Sequence, residues 1–202
     1  MKEPRESHTF YLASGNAGKL KEFRVLAESS SKNWKLELLL DYTELPEFEE
    51  AAPTFAENAA GKAFYYSRRS DAIVFADDSG LVVPALGGAP GVLSARYAGL
   101  GASNEQKIAK LLFEMKGLEG ANRNAYFVCV IAAVRNGRAV AVVSEKVDGE
   151  ILEAPRGSEG FGYDPVFFFP PLGKTFAELR AEEKSLHSHR GKAFRRLLEV
   201  LE

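Results

Sequence analysis

Two apolar runs, Ala125–Val134 and Ala139–Val147, flank the dipeptide Asn136-Gly137. Asn-Gly suits the left-handed central positions of a type I′ turn, so this is the strongest hairpin signal in the chain. It places two adjacent antiparallel strands in the middle of the fold. The preceding segments alternate differently. Thr9–Ala13 reads as a strand running into Ser-Gly-Asn. Leu20, Phe23, Leu26 and Ala27 recur at helical spacing and predict an amphipathic helix from Ala17 to Glu28. Lys35–Leu40 reads as a second strand. Thr54-Phe55-Ala56-Glu57 is a capping-box pattern that opens a helix to Arg69 and gives Glu57 a capping role. Ile73–Ala76 reads as a short buried strand, and Leu81–Leu86 as a continuation broken by Pro84. A helix is expected over Asn104–Lys116, Gly/Pro-rich loops over Gly87–Gly101 and Gly157–Gly173, and one or two helices over 175–202. Strand–helix alternation followed by a hairpin implies an α/β fold with a mixed sheet.

A chain of 202 residues fits one domain, here residues 9–202 after a polar leader at 1–8. That leader lacks an apolar h-region and is expected to fray rather than to act as a signal peptide. Net charge is -2, from 26 basic and 28 acidic side chains. This balance argues against nucleic acid held by bulk charge, while leaving a small anion open as ligand. No stretch reaches the roughly 18 apolar residues of a membrane helix, so no membrane partner is expected. The single cysteine, Cys129, excludes an intrachain disulfide and a Cys-rich zinc site, and its apolar run predicts burial.

Four segments carry polar chemistry. Ser14-Gly15-Asn16-Ala17-Gly18-Lys19 joins a strand to a helix with a lysine in its first turn. Helix N-terminal amides beside an ammonium suit a phosphate. The alternative is a plain turn in which Gly15 and Asn16 adopt unusual dihedrals. The segment is not a Walker A loop, because its glycines are too close and Leu20 replaces the magnesium-binding hydroxyl. Asp77-Asp78-Ser79-Gly80 follows a buried strand, so the two carboxylates should point to opposite faces and not share one cleft. They are either solvated turn residues or a magnesium ligand and water-activating base. The upstream Glu44, Glu47, Glu49 and Glu50 offer a second carboxylate. Phe161-Gly162-Tyr163-Asp164 presents loop aromatics, either a stacking platform for a base or a cover for the core. Lys184, His187, His189 and Arg190 form either a solvated basic face or a set of donors; two histidines only two apart make a zinc site a poor reading.

Taken in order, SGNAGK (14–19), TFAENA (54–59), ADDSG (76–80), LGGAPGVLSARYAG (86–99), GFGYDPVF (160–167) and EKSLHSHR (183–190) resemble one family. It is the inosine triphosphatase, or Ham1-like, family of purine NTP pyrophosphatases. The resemblance covers residues 14 to 190. It implies a long central mixed sheet flanked by helices, with two lobes around a substrate cleft. It also implies a cytoplasmic homodimer that uses Mg2+ to hydrolyse altered purine nucleoside triphosphates (ITP, dITP, XTP) to the monophosphate and pyrophosphate. By that likeness Asp78 is the proton acceptor and a metal ligand, with Glu50 favoured over Glu47 as the second carboxylate. Ser14, Gly15, Asn16, Ala17, Gly18 and Lys19 bind the phosphates. Ser79, Phe161, Gly162, Tyr163, Asp164, Lys184, His189 and Arg190 contact the rest of the substrate. His187 falls at a variable position and receives no role. Two rival readings stand beside this one: a pyrophosphatase for other modified or standard nucleotides, and a nucleotide sensor that has lost catalysis.

Overall fold

The computed structural model describes residues 8–29, 34–39 and 46–201. Residues 1–7 of the expected leader, with Leu40 and Glu44, lie outside these residues, and the leader's last residue, His8, stands in the first strand. Among the described residues seven strands form one mixed sheet in the order β2-β1-β3-β4-β5-β6-β7. They are β1 (His8–Leu12), β2 (Trp34–Leu38), β3 (Ile73–Val82), β4 (Asn124–Arg135), β5 (Arg138–Ile151), β6 (Phe167–Phe169) and β7 (Lys174–Thr175). Strand β1 pairs in parallel with both β2 and β3, whereas β6 is antiparallel to β5 and to β7. Among the described residues five α-helices accompany the sheet: α1 (Ala17–Ser29), α2 (Phe55–Ser67), α3 (Asn104–Glu114), α4 (Ala181–His187) and α5 (His189–Val200). Among the described residues no helix is long and apolar enough to cross a membrane.

The expected hairpin is the β4–β5 pair. Asn136 and Gly137 have φ of 51° and 69°, the doubly left-handed form that matches strand twist. Strand β3 departs from expectation. It does not stop at Ala76 but continues through Asp77-Asp78-Ser79-Gly80 to Val82, before a short 3-10 turn at Pro84–Leu86. The expected loop 157–173 likewise contains β6. Helix α2 starts at the expected cap: the Glu57 N–H donates to Thr54 Oγ1 at 3.2 Å. Helix α3 carries a full Ser103/Gln106 capping box.

The chain divides into two compact units. The first comprises Met1–Asp78, Val130–Ser144 and Ala193–Glu202. Phe10, Phe23, Phe75 and Phe194 interlock in its core, with ring centroids 5.4 to 6.1 Å apart. The second comprises Ser79–Cys129 and Glu145–Lys192, and its core gathers Leu81, Leu111, Met115, Phe127, Phe167 and Phe176. Cys129 is buried, as its apolar run predicts.

Candidate active site

In the first unit the strand-to-helix turn after β1 is built by Asn16. Its Oδ1 accepts the Lys19 N–H at 3.0 Å, and its own N–H donates to Ser14 Oγ at 3.3 Å. Asn16 therefore caps α1 from outside the left-handed region, since Asn136 is the one non-glycine with positive φ among the described residues. Gly15, Asn16 and Ala17 are exposed, and Gly18 is half-buried. The N–H groups of a first helical turn have no intrahelical acceptor, so Ala17 and Gly18 present donors toward an incoming anion. Lys19 is buried, and its ammonium sits 2.9 Å from Asp77 Oδ2 and 3.4 Å from the Asp77 carbonyl.

Asp77 and Asp78 are 0% and 4% exposed, which removes the solvated-turn reading. Their bonding partners differ, as alternate strand positions allow: Asp77 pairs with Lys19 of α1, and Asp78 accepts from Asn58 of α2. Both carboxylates act on one lysine, Lys62. Burial works against the Lys62 ammonium, but Asp77, Glu50 and Asp78 outweigh it and raise its pKa above the ordinary lysine value. Asp78 is pushed up to about 6. Burial is the leading cause; Lys19 opposes it, Glu50 adds to it, and Asn58 and Lys62 oppose it.

Glu50 lies on a segment without regular structure that runs along one face of α2. Phe48 N–H donates to the Tyr66 hydroxyl at 3.0 Å, and the Phe48 ring lies 5.7 Å from that of Tyr65. Glu50 bonds the Lys62 ammonium. Ala52 N–H donates to Asn58 Oδ1 at 3.0 Å, and Asn58 Nδ2 returns a bond to the Ala52 carbonyl at 3.2 Å. Residues 58, 62 and 66 recur at helical spacing, so they share a face. Glu47 is exposed. Lys62 and Asn58 were not singled out by the sequence. Their helical spacing to Tyr66 was visible, but nothing marked that face as opposing acids rather than core.

In the second unit Asp164 organises the loop before β6. Its Oδ2 accepts the Phe161 N–H at 2.8 Å and bonds the Lys184 ammonium. A Cβ on Gly160, whose φ is 73°, would lie 2.1 Å from that same oxygen, so only glycine fits there. Lys184, His189 and Arg190 are 4%, 1% and 6% exposed, which rules out a solvated basic face. The chain breaks between α4 and α5 at Ser188, whose ψ of 156° is extended. The His189 ring stacks on Phe127 at 4.7 Å and 10°. Arg190 donates to Ser79 Oγ at 2.9 Å, and its guanidinium lies 4.9 Å over the Phe161 ring. The Lys184 ammonium stands 5.2 Å from that ring. Half-buried Phe161 thus borders two cationic donors, while Gly162, also half-buried, follows it in the loop. Tyr163 does not join them: its ring is in the core, and its hydroxyl donates to the Ser94 carbonyl at 3.0 Å. Ser94, missed in the sequence, accepts the Leu81 N–H at 2.9 Å and ties the 91–96 turn to β3. His187 is half-buried against Phe169.

Among the described residues no group of three or more His, Cys, Asp or Glu side chains is arranged to hold a metal. A magnesium-like ion asks less, taking one or two carboxylates and filling its octahedron with water and phosphate oxygens. Glu50 and Asp78 fit that demand. They are close enough for Glu50 to raise the pKa of Asp78, a repulsion that a divalent cation would relieve.

A model of the Ham1 family matches residues 10–200. The chain is 51% identical over 191 residues to a protein of Geobacillus kaustophilus named dITP/XTP pyrophosphatase, covering 95% of this chain and 93% of that one. A Thermus thermophilus protein of the same name is 49% identical over 190 residues, with 94% and 89% covered. Among solved structures, the Ham1 protein of Staphylococcus aureus superposes with a TM-score of 0.82 at 38% identity, covering 96% of this chain and 97% of that one. A HAM1 protein from Coxiella burnetii gives 0.84 at 38% identity, with 96% and 98% covered. A family match across nearly the whole chain, with the family's fold and two polar clusters built from its motifs, means that this protein belongs to the Ham1 family.

Proposed function

We propose that the protein hydrolyses altered purine nucleoside triphosphates, dITP, XTP and ITP, to the monophosphate and pyrophosphate with a divalent metal, Mg2+. The observation that carries this reading is the buried Asp78 carboxylate, set among Lys19, Lys62 and Glu50. A carboxylate near pH 6 is ionised at neutral pH yet basic enough to accept a proton from water. A divalent cation held by Glu50 and Asp78 would supply charge neutralisation at the phosphate oxygens. Asp78 orients the attacking water and takes its proton. Lys19 and the first-turn amides of α1 hold the polyphosphate, with Ser14 and Asn16 shaping the turn. Asp77 fixes Lys19 through its ion pair. Arg190, His189 and Lys184 supply donors to the 6-keto edge of hypoxanthine or xanthine. Phe161 offers a face for the ring, while Tyr163 and Asp164 hold the loop that carries it.

The reading extends to residues 9–202 acting as one catalytic domain, and to a cytoplasmic homodimer that light scattering would check. The test of the activity is a kinetic panel of dITP, XTP, ITP, ATP and GTP with Mg2+, resolving pyrophosphate from phosphate. Pyrophosphate release with a strong preference for the first three is expected. Orthophosphate as the product, or equal use of ATP, would overturn the reading, and no release from any of them would leave a nucleotide sensor.

A further inference from the structure

We propose that Asn58 is a positioning residue that sets the geometry of the metal carboxylates, by clamping the segment carrying Glu50 onto Asp78. The inference rests on the assignment of Glu50 and Asp78 as the metal pair. Asn58 lies within α2 and is 1% exposed. Its amide makes three hydrogen bonds. Two form a closed pair with the main chain of Ala52, in which Oδ1 accepts at 3.0 Å and Nδ2 donates at 3.2 Å. The third runs from Nδ2 to Asp78 Oδ2 at 3.0 Å. One planar group thus fixes the backbone two residues after Glu50 and one oxygen of the Asp78 carboxylate.

The geometry singles out an amide. An aspartate at 58 would face Asp78 with a second carboxylate and could not donate to it, and a leucine of similar size would satisfy none of the three partners. The anchor also works with others along the same helix face. Phe48 is held by the Tyr66 hydroxyl and lies on Gly61, where a Cβ would come within 2.7 Å of the ring. Glu50 is held by Lys62. Phe48, Glu50 and Ala52 are therefore fastened at successive turns of α2, and the Asn58 fastening also bonds Asp78. The segment has no strand or helix of its own, so these side chains replace the missing backbone ladder.

Outer groups that orient metal ligands are worth about 10–100-fold in metal affinity. Asn58→Ala should weaken Mn2+ binding by a factor in that range, read by electron paramagnetic resonance with Mn2+ and inorganic pyrophosphate. Turnover of dITP should fall at low Mg2+ and recover as Mg2+ is raised, with KM for the nucleotide little changed at saturating metal. A loss that no metal concentration restores would mark a merely structural role and overturn the inference. In the wild-type protein the Ala52 amide should exchange its hydrogen slowly, and exchange as fast as an open turn would also overturn it whether or not the variant folds. Glu50→Gln and Asp78→Asn serve as references. If they lose Mn2+ affinity while Asn58→Ala keeps it, the clamp is wrong and the metal pair stands. If neither loses affinity, the metal pair is wrong and the inference falls with it.

Discussion

Asp78→Asn should make the metal-free protein more stable while it destroys activity. In the unfolded chain the carboxyl titrates near 3.8, and in the folded protein near 6. Folding therefore takes up a proton between those two values. The protein is favoured below about pH 4, where Asp78 is neutral in both states, and loses stability as pH rises toward 6. Above that, the folded state carries the full cost of a buried charge. The rise from 3.8 to about 6 corresponds to about 3 kcal/mol. Asparagine has the same shape and no charge, and its oxygen can still accept the bond from Asn58. At pH 7 the variant should gain up to about 3 kcal/mol, which for a chain of this size is roughly 6–12 °C in Tm. The assay is a series of thermal melts from pH 4 to 8 in chelator-treated buffer. The two proteins should melt together at pH 4 and separate progressively toward pH 7. Equal melting temperatures at pH 7, or an offset that ignores pH, would refute the reasoning. Turnover should meanwhile fall about 10²-fold or more, because an amide accepts no proton from water. A group that costs stability and is required for turnover follows the usual trade between the two.

Chelation with EDTA should abolish hydrolysis and Mg2+ restore it; full activity in excess chelator would remove the metal from the mechanism. Lys19→Ala should weaken both KM and kcat for dITP, since an ammonium at the phosphates acts in ground and transition states alike. Asp77→Asn should lower activity less than Asp78→Asn, by releasing Lys19 from its 2.9 Å ion pair, and unchanged kinetics would make that pair irrelevant. Arg190→Ala should shrink the ratio of ITP to ATP turnover, because an arginine donor satisfies a 6-keto oxygen and meets adenine's amine with a second donor. Phe161→Ala should lower both substrates in similar proportion, because a ring face stacks on any base.

The parts of the site that were legible in the sequence are those written by local rules. The α1 turn, the Thr54 cap and the Asn136-Gly137 hairpin each depend on a few adjacent residues whose dihedral and capping preferences are strong. Six motifs in order then pointed to Asp78, Lys19 and Arg190. What stayed hidden depends on tertiary packing. Asp and Gly are poor strand formers, so 77–80 looked like a turn; the buried Lys19–Asp77 ion pair and the bonds of Asp78 to Asn58 and of Ser79 to Arg190 anchor it in the extended strand instead. Tyr163 looked like a platform because a loop aromatic has no period to say which way it faces. Its contact with Ser94 spans 69 positions of sequence. Lys62 and Asn58 sit in an ordinary helix, and their importance arises only from the segment that folds back along it.

Strand β3 puts Asp77, Asp78 and Ser79 in three consecutive positions, bonded respectively to Lys19, Asn58 and Arg190. This arrangement governs where the gene can gain or lose a codon. A single inserted residue between Phe75 and Asp77 would turn each of the three side chains to the opposite face of the sheet, cutting every one of those bonds in a single event. No neighbouring loop could absorb the shift, because the strand runs unbroken from Ile73 to Val82. Insertions at exposed Leu100, beside Gly99 and Gly101 in a turn, displace no such partner. A library of insertions and deletions should therefore show a gap over 74–81, with tolerated lengths clustering near 99–102. Tags and fused domains belong in that second window.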